Sequence, residues 1–255
     1  MSRRCYELEG VKRFSARAAD YAFARPSYAA EAIAHILESS RVSRPRIVDV
    51  GAGTAQATNQ LGRAAGFAVG LDPNLEMLSA APREANVVLL QGRGEQLPVR
   101  TRSADLVTAF NAFHWFQPEA FLAEARRVLA SDGRLTLVWN DWDDRDPFTA
   151  AFVRLMRAQA GDYPPEDRAA EIAPLYQTRH FHEVRQRAFP LRQQLDRRGV
   201  LARMRSMSYV RREGPAWEQL ASELEVLFER HADKSGLVAH HYTTQVFVAT
   251  PTARE

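Results

Sequence analysis

Cysteine and lysine are scarce in this 255-residue sequence. Cys5 is the only cysteine, which excludes a disulfide framework and a cysteine metal site and fits a cytoplasmic protein. Lys12 and Lys234 are the only lysines, so arginines scattered in ones and twos carry almost all of the positive charge. The 34 basic residues exceed the 31 acidic ones by a formal charge of only +3. This near balance gives no sign of a polyanionic partner, and we expect no nucleic-acid binding.

Long apolar runs, internal repeats and low-complexity tracts are absent as well. No stretch approaches the roughly 20 apolar residues that a membrane-spanning helix needs. The opening residues, MSRRCYELEGVKRF, lack the apolar segment of a targeting signal. The absence of repeats excludes solenoids. We therefore expect a globular protein without membrane association.

Between residues 47 and 140 the sequence alternates short β-branched runs with amphipathic segments. The runs IVDV, FAVGL, NVVLL, ADLVTAF and RLTLVW are typical of buried strands, and segments such as TAQATNQLGRAA and PEAFLAEARRVLA are typical of helices. Strands that alternate with helices form parallel sheets covered by helices on both faces. The sequence therefore predicts an α/β fold with a doubly wound, Rossmann-like, mostly parallel sheet.

The rest of the chain predicts additions to this sheet within a single domain, residues 1–255. Residues 1–45 contain the amphipathic segment SYAAEAIAHILESS and are expected to form a helical lid before the cofactor-binding core at 46–140. Two helices separated by GDYPPED predict a small helical cap at 141–182, inserted after the fifth strand. At 183–255 two further strands with helices between them are expected to complete the edge of the sheet, and one of the two could run antiparallel.

The stretch RIVDVGAGTAQATNQL, residues 46–61, runs from a strand through a Gly-Ala-Gly turn into a helix. Such turns usually bind phosphate. Here, however, Gln56 replaces the third glycine of a dinucleotide fingerprint, and the lack of Gly-Lys-Ser/Thr excludes a P-loop. Asp49 would place a negative charge at the end of the strand and repel a pyrophosphate. The turn therefore suits a ligand with nearby positive charge and no phosphate.

The second strand ends in an acidic residue, Asp72, which lies 19 residues after Gly53. A carboxylate in this place can accept two hydrogen bonds from a ribose diol. S-adenosylmethionine joins an adenosine to an ammonium and a sulfonium without phosphates. We expect this cofactor, with Asp49 toward its amino end and Asp72 on its ribose. Each acid taken alone is best interpreted as a surface or helix-capping carboxylate. The two acids together, at this spacing about a Gly-x-Gly turn, favour the cofactor interpretation.

Four segments in this order resemble the class I S-adenosylmethionine-dependent methyltransferases: VDVGAGTAQ, GLDPNLEML, GRGEQLPVRTRSADLVTAFNAFHWF and EARRVLASDGRLTLV. The similarity is greatest to the small-molecule branch that includes trans-aconitate and ubiquinone/menaquinone methyltransferases. It covers residues 14–140 well and the following residues to 250 more loosely. The resemblance implies an enzyme that moves a methyl group from S-adenosylmethionine to an O, N or C nucleophile of a small molecule.

The resemblance also implies which residues contact the cofactor. The first motif surrounds its methionyl part and ribose, the residues after the second and third strands lie beside the adenine, and the loop after the fourth strand lies beneath the sulfonium. Two residues near the amino terminus resemble side chains that close over the cofactor, and an arginine there could bind its carboxylate or simply lie at the surface. The implied residues are Tyr21, Arg25, Asp49, Gly51, Ala52, Gly53, Asp72, Pro73, Met77, Arg93, Gly94, Glu95, Asn111 and Ala112. Gln56 departs from the small residue of many relatives and either faces solvent or narrows the pocket.

The candidate catalytic residue is His114, in NAFHWF just beyond the fourth strand. Methyl transfer from a sulfonium is an in-line displacement, so an enzyme has mainly to align the nucleophile and exclude water. A general base is needed only when the nucleophile arrives protonated. His114 could serve as that base, or it could be a structural histidine bonded to a backbone group.

Aromatic and hydroxyl side chains are the candidates for the acceptor site. An aromatic wall for a flat or apolar acceptor could be formed by Trp115, Phe116, Trp139 and Trp142. Hydroxyls could come from Ser206 and Tyr209 in RMRSMSYV, which could instead be an amphipathic helix on the sheet. A polycarboxylate acceptor would use convergent arginines, for which the tail offers Arg203, Arg205, Arg211 and Arg212.

No metal site is expected from the sequence. His240 and His241 are neighbours on a predicted strand and would point to opposite faces. The acidic run DWDDRD, residues 141–146, could bind a cation but is more typical of a solvated loop with a helix cap.

Three other functions stay open. An NAD-type oxidoreductase is opposed by Gln56 and Asp49. A nucleic-acid methyltransferase would need an Asn/Asp-Pro-Pro-aromatic run after the fourth strand, where this chain has NAFHWF. A cofactor-binding protein of the same fold, with lost or non-methylating chemistry, would carry identical cofactor motifs.

Overall fold

Seven strands form one sheet in the computed structural model, which describes residues 23–161 and 167–253. The strands are β1 (Ile47–Val50), β2 (Ala68–Asp72), β3 (Val87–Gln91), β4 (Ala104–Phe110), β5 (Leu129–Trp142), β6 (Phe181–Leu195) and β7 (Val238–Pro251). Their order in the sheet is β3-β2-β1-β4-β5-β7-β6. The strand order reverses between β1 and β4, and open α/β sheets bind ligands beyond the carboxyl ends of the strands at such a switch point.

Helices cover both faces of this sheet. They are α1 (Ala30–Ser39), α2 (Gln56–Ala65), α3 (Leu75–Ser79), α4 (Pro118–Val128), α5 (Pro147–Ala158), α6 (Arg168–Gln177), α7 (Arg197–Arg205) and α8 (Pro215–His231). On one face α1 and α2 bury Ile36 and Leu61, and on the other face α4 and α6 bury Phe121 and Leu175. The predicted doubly wound fold is therefore confirmed. None of the described helices has the length and apolar character needed to cross a membrane.

The first five strands are parallel, as their alternation with helices predicts. The antiparallel strand is β7, which lies between β5 and β6 and pairs with both. The predicted fifth strand, RLTLVW, is too short, since β5 continues to Trp142 opposite Tyr242. Asn140 and Asp141 are polar and carry no strand signal of their own, and residues 140–142 are held in the sheet by pairing with β7.

A second apolar cluster lies beside the sheet and is formed by α5, α7 and α8. Its fully buried members include Phe152, Met204 and Leu224. By contrast α6 packs on the main core, so the two helices of the predicted cap bury their apolar faces in different clusters. The helix-capping role expected in the acidic run falls to Asp146, whose carboxylate accepts from the N–H of Thr149 at 2.8 Å. The division of the chain into lid, core, cap and carboxyl-terminal part stays a prediction.

Candidate active site

The glycine turn after β1 is closely packed. Gly51 and Gly53 have φ angles of +75° and +55°, a region that glycine adopts without strain. The N–H groups of Gly51 and Ala52 donate to the carbonyl of Leu71 at 2.7 and 2.9 Å, which ties the turn to β2. A Cβ on Gly51 would lie 2.5 Å from Cβ of Ala112 in the loop after β4. The turn and that loop are therefore in direct contact.

A third residue of the turn has a left-handed backbone. This residue is Ala55 and not Gln56, which occupies the place of the third glycine in a dinucleotide fingerprint. Ala55 has φ +59° and precedes α2 as its cap. Gln56 begins α2, and its side-chain amide donates to the carbonyl of Arg25 at 3.0 Å. Gln56 therefore connects the turn to the segment before α1.

Asp72 lies at the carboxyl end of β2 with its carboxylate against the turn. One oxygen accepts from the N–H of Gly53 and the other from the N–H of Asn74, both at 2.8 Å. Burial raises the pKa of Asp72 above its usual value. Each carboxylate oxygen has a second lone pair, so the group can still accept two hydrogen bonds from a diol.

Asp49 lies beneath the turn and is only 1% exposed. Its two oxygens accept hydrogen bonds from the hydroxyls of Thr58 and Thr108, at 2.6 and 2.8 Å. Burial raises the pKa of Asp49 to about 7, although the two hydrogen bonds from the threonine hydroxyls lower it. The negative charge of Asp72 raises it further. The predicted position of Asp49 toward the amino end of a cofactor stays a prediction.

The predicted adenine side lies between the glycine turn, α3 and the loop after β3. Met77 is buried, and its methyl group would touch a Cβ placed on Gly53 at 3.2 Å. A Cβ on Gly94 would lie 3.2 and 3.3 Å from the rings of Phe121 and Phe116. Phe116, expected at the acceptor, thus lies behind the adenine loop.

Hydrogen bonds hold this loop and the end of β2 in place. Glu95 accepts from the N–H of Gln117 at 2.9 Å. The backbone of Arg93 pairs with the backbone of Gln96 across the loop. The carbonyl of Pro73 accepts a hydrogen bond from the side chain of Gln91 at 3.0 Å.

Asn111 fixes the loop after β4. It adopts φ +48°, its amide nitrogen donates to the hydroxyl of Tyr28 at 3.0 Å, and its amide oxygen accepts from the N–H of Asn140 at 3.2 Å. Tyr28 and Asn140 were not predicted as site residues. The sequence carries little sign that Tyr28 and Asn140 belong to the site, because each becomes a neighbour of Asn111 only through tertiary packing.

His114 lies in a short 3₁₀ turn, Phe113–Trp115, just beyond this loop. Its Nδ1 accepts from the indole N–H of Trp139 at 3.4 Å, and Glu171 lies 3.8 Å from the same nitrogen. Burial, together with the guanidinium groups of Arg168 and Arg25, lowers the pKa of His114 to about 3. The ring is therefore neutral at physiological pH.

The tryptophans expected to form an aromatic wall do not share one surface. Trp139 is 1% exposed and packs in the main core, with the guanidinium of Arg168 over its ring at 4.5 Å. Trp142 stacks on His240 with ring centroids 5.0 Å apart, beside the second cluster. Trp115 is partly buried against the main core. Core packing accounts for Trp139.

Ser206 and Tyr209 also take part in packing. Ser206 is fully buried, accepts from Arg203 at 3.1 Å and donates to the Arg203 carbonyl at 2.7 Å. Tyr209 packs against the second cluster. Arg25 reaches across to the Ser206 carbonyl at 3.4 Å, whereas Tyr21 lies outside the described residues.

The sequence analysis grouped Arg203 with the other arginines of the tail. In the structure Arg203 is a buried residue, only 2% exposed. Its Nε donates to the hydroxyl of Tyr242 at 3.1 Å, and its guanidinium lies 4.7 Å from the Trp142 ring. The described residues show no group of three His, Cys, Asp or Glu side chains placed to hold a metal. The expectation of a metal-free site stays a prediction.

Comparison with known sequences identifies relatives. Residues 48–137 match the family described as "Methyltransferase domain". An uncharacterized methyltransferase of Mycobacterium tuberculosis is 38% identical over 145 residues, which cover 55% of this chain and 57% of that protein. One of Schizosaccharomyces pombe is 30% identical over 182 residues, which cover 70% of this chain and 71% of that protein. The chain thus spans little more than half the length of the mycobacterial relative.

Solved structures share the fold. A candidate type II methyltransferase from Anaeromyxobacter dehalogenans has a TM-score of 0.64 at 21% identity, over 90% of this chain and 97% of that one. A phosphoethanolamine N-methyltransferase of Haemonchus contortus has a TM-score of 0.57 at 13% identity, over 99% of this chain and 61% of that one. At these identities the likeness shows the fold alone. On the sequence relatives and the strand order together, this chain belongs to the class I S-adenosylmethionine-dependent methyltransferases.

Proposed function

We propose that this chain transfers the methyl group of S-adenosylmethionine to a nucleophile of a small molecule. The observation that carries this proposal is the carboxylate of Asp72 at the end of β2, held against the glycine turn by the N–H of Gly53 at 2.8 Å. A carboxylate fixed beside a glycine turn fits a ribose diol. When bound, the cofactor supplies a methyl group that a positively charged sulfur activates for displacement.

The residues around the turn fit this cofactor. Gly51 leaves no room for a side chain against Ala112, so the turn is held directly against the loop after β4, beneath which the sulfonium is expected. The hydroxyl of Thr54 is buried and has no hydrogen-bond partner among the described residues. Buried polar groups are rarely left unpaired in proteins, so Thr54 is a spare hydrogen-bonding group for a ligand on the turn. Met77 and Gly94 would flank the adenine.

Charge favours a cationic ligand over a pyrophosphate. Asp49 and Asp72 both lie at the carboxyl ends of neighbouring strands, and burial raises the pKa of each. A nearby positive charge would stabilise both carboxylates, whereas a phosphate group would destabilise them. The same two acids oppose an NAD-type ligand.

The small-molecule acceptor, the absence of a nucleic-acid partner and a cytoplasmic location are parts of the same proposal. The near balance of positive and negative charge supports the absence of a nucleic-acid partner. The resemblance of the sequence motifs to the small-molecule branch of the family supports the small-molecule acceptor.

Calorimetric titration with S-adenosylhomocysteine, with NAD as a parallel ligand, tests this proposal. We expect saturable one-to-one binding of S-adenosylhomocysteine and no heat of binding from NAD. Binding of NAD, or of neither compound, would overturn the assignment of the glycine turn.

A further inference from the structure

The two edges of the sheet differ in how they meet solvent. The edge strand β6 carries three exposed arginines, a proline and a shift of register, at Arg185, Arg187, Arg192, Pro190 and just after His182. Charged side chains, prolines and bulges are the usual features that keep an edge strand from pairing with another chain. The other edge strand, β3, has the sequence VVLLQ and none of these features. The edge at β6 is therefore protected, and the edge at β3 is not.

Two apolar side chains of β3 face solvent. Val88 and Leu90 are each 42% exposed, and they lie on the same face of the sheet because successive side chains of a strand alternate. Val87 points to the other face, where it lies against Gly62 of α2. No described strand pairs with β3 on the side away from β2. The strand thus presents an open backbone together with two exposed apolar side chains.

Hydrogen bonds to β2 determine which backbone groups of β3 point outward. The carbonyl of Asn86 accepts from the N–H of Ala68 at 3.1 Å, and the N–H of Gly92 donates to the carbonyl of Asp72 at 3.2 Å. In a parallel pair the N–H and C=O groups of alternate residues face the same neighbour, so the two even-numbered residues between them also face β2. The outward-facing N–H and C=O groups are therefore those of Val87, Leu89 and Gln91.

A second copy of β3 matches these groups when it runs antiparallel about a two-fold axis at Leu89. In antiparallel pairs, residues whose N–H and C=O groups face each other exchange both hydrogen bonds. Leu89 then pairs with the partner's Leu89, and Val87 pairs with the partner's Gln91. The same register places Val88 opposite the partner's Leu90. The exposed apolar side chains of one copy therefore cover those of the other, and this contact occurs twice, as two-fold symmetry requires.

Charges beyond the two ends of β3 are complementary in this arrangement. Arg83 precedes the strand and Glu95 follows it, and the continued register brings Arg83 beside the partner's Glu95. Arg83 is exposed, and its side chain has no hydrogen bond or ion pair within the described part of the chain. One oxygen of Glu95 accepts from the N–H of Gln117, which leaves its other oxygen for a partner. Opposite charges therefore meet at both ends of the paired strands.

The amino-terminal end of the described chain lies at the opposite edge of the sheet. The guanidinium of Arg198 lies 4.9 Å from the ring centre of Phe23, and the carbonyl of Ala24 accepts from Gln193 of β6 at 3.0 Å. The strands β6 and β3 are the two ends of the strand order. A second copy brings its own β3 in the matching register, whereas residues 1–22 continue into a segment that lies beside β6.

We propose that two copies of this chain associate by antiparallel pairing of β3 with β3, which joins their two sheets into one. The partner is therefore a second copy of the same chain. The paired segment is short, so the interface is at the small end of specific interfaces and the dimer is expected to exchange with the monomer. The association does not depend on which reaction the chain catalyses.

Sedimentation velocity of the full chain, over concentrations from about 1 to about 100 μM, tests this association. We expect the mass to rise from that of one chain to that of two and no further, because the two-fold pairing leaves no unprotected edge. A mass of one chain at every concentration would overturn the proposal and would point to β3 being covered by another part of its own chain. Growth beyond two chains would overturn it as well.

Val88→Glu tests whether β3 is the interface. The carboxylate is tolerated on an exposed strand, but in the dimer it would be buried against the partner's Leu90 without a counter-charge. We expect the dissociation constant of the dimer to rise by about 100-fold or more, while circular dichroism shows a folded chain. Val226→Glu is the matched control, since Val226 is 53% exposed on α8, and it should dimerise as the unsubstituted chain does. Unchanged dimerisation of Val88→Glu would overturn the interface.

Cysteine cross-linking tests the register, in a chain whose only cysteine is removed by Cys5→Ser. Leu89→Cys places two thiols at the two-fold axis, with Cα atoms about 5.5 Å apart and within reach of a disulfide. Val88→Cys places them on a diagonal, with Cα atoms about 7 to 8 Å apart and out of reach. We expect oxidation to give a covalent dimer of Leu89→Cys in much higher yield than of Val88→Cys. Equal yields, or no covalent dimer of Leu89→Cys, would contradict this register.

Discussion

Gly51 and Ala112 approach each other so closely that a methyl group on Gly51 would lie 2.5 Å from Cβ of Ala112. The first residue belongs to the turn after β1 and the second to the loop after β4. These strands are neighbours at the switch point of the sheet. The contact therefore sets the distance between the glycine turn and the loop that leads to His114.

Gly51→Ala is expected to destabilise the fold by about 3 kcal/mol, since the left-handed backbone and the clash each cost free energy. Urea denaturation measures this change. Gly236→Ala is the matched control, because Gly236 has φ +71° with nothing within 4 Å of its added Cβ. The control should lose only about 1 kcal/mol. Equal losses in both variants would show that the Ala112 contact does not matter.

Ala55→Gly is expected to leave stability nearly unchanged, within about 0.5 kcal/mol, although Ala55 is fully buried. The relief of its φ of +59° offsets the lost methyl group and the greater freedom of glycine in the unfolded chain. Ala57→Gly, buried within α2, has no such relief and should lose about 1 to 2 kcal/mol. Urea denaturation of the two variants gives the comparison, and a similar loss in both would contradict strain at Ala55.

Asp49 is expected to make the folded state less stable as the pH rises toward neutrality. Its carboxyl group has a usual pKa of 3.8 and a pKa of about 7 in the fold, raised first by burial. Between these values the folded chain holds a proton that the unfolded chain has released. Its contribution to stability is therefore complete below the lower value and lost as the pH rises through the upper one, with a slope of up to about 1.4 kcal/mol per pH unit.

Urea denaturation from about pH 5 to about pH 8 checks this slope. Asp49→Asn keeps the size of the side chain and removes the titration, so its stability should vary much less with pH. A weaker slope should persist, because the pKa of Asp72 is raised as well. Asp132→Asn, at an exposed position, should behave like the unsubstituted protein. An unchanged slope in Asp49→Asn would contradict the account.

The parallel sheet was predictable because β1 to β4 are apolar runs that carry their own signal. The length of β5 was not, since Asn140 and Asp141 are polar and residues 140–142 are ordered by β7, about a hundred residues later in the chain. The antiparallel direction of β7 likewise depends on pairing and not on local pattern.

In the site, residues at the ends of strands were predictable and their partners were not. Asp49 and Asp72 follow from spacing about the turn, whereas the bonds of Asp49 to Thr58 and Thr108 span 9 and 59 residues. One signal was available, because Thr108 is the single hydroxyl in the buried run ADLVTAF. The hydrogen bond from Trp139 to His114 was equally hidden, because the indole reaches the ring only through the pairing of β4 and β5.

The affinity of Asp72→Ala for S-adenosylhomocysteine tests the central claim most directly. If Asp72 holds the ribose, loss of two hydrogen bonds to a charged group should weaken binding by about 100-fold. Asp132→Ala, exposed and remote from the turn, should bind as the unsubstituted protein does, and circular dichroism shows whether both variants are folded. A folded Asp72→Ala protein that binds S-adenosylhomocysteine with unchanged affinity would contradict the assignment of this site.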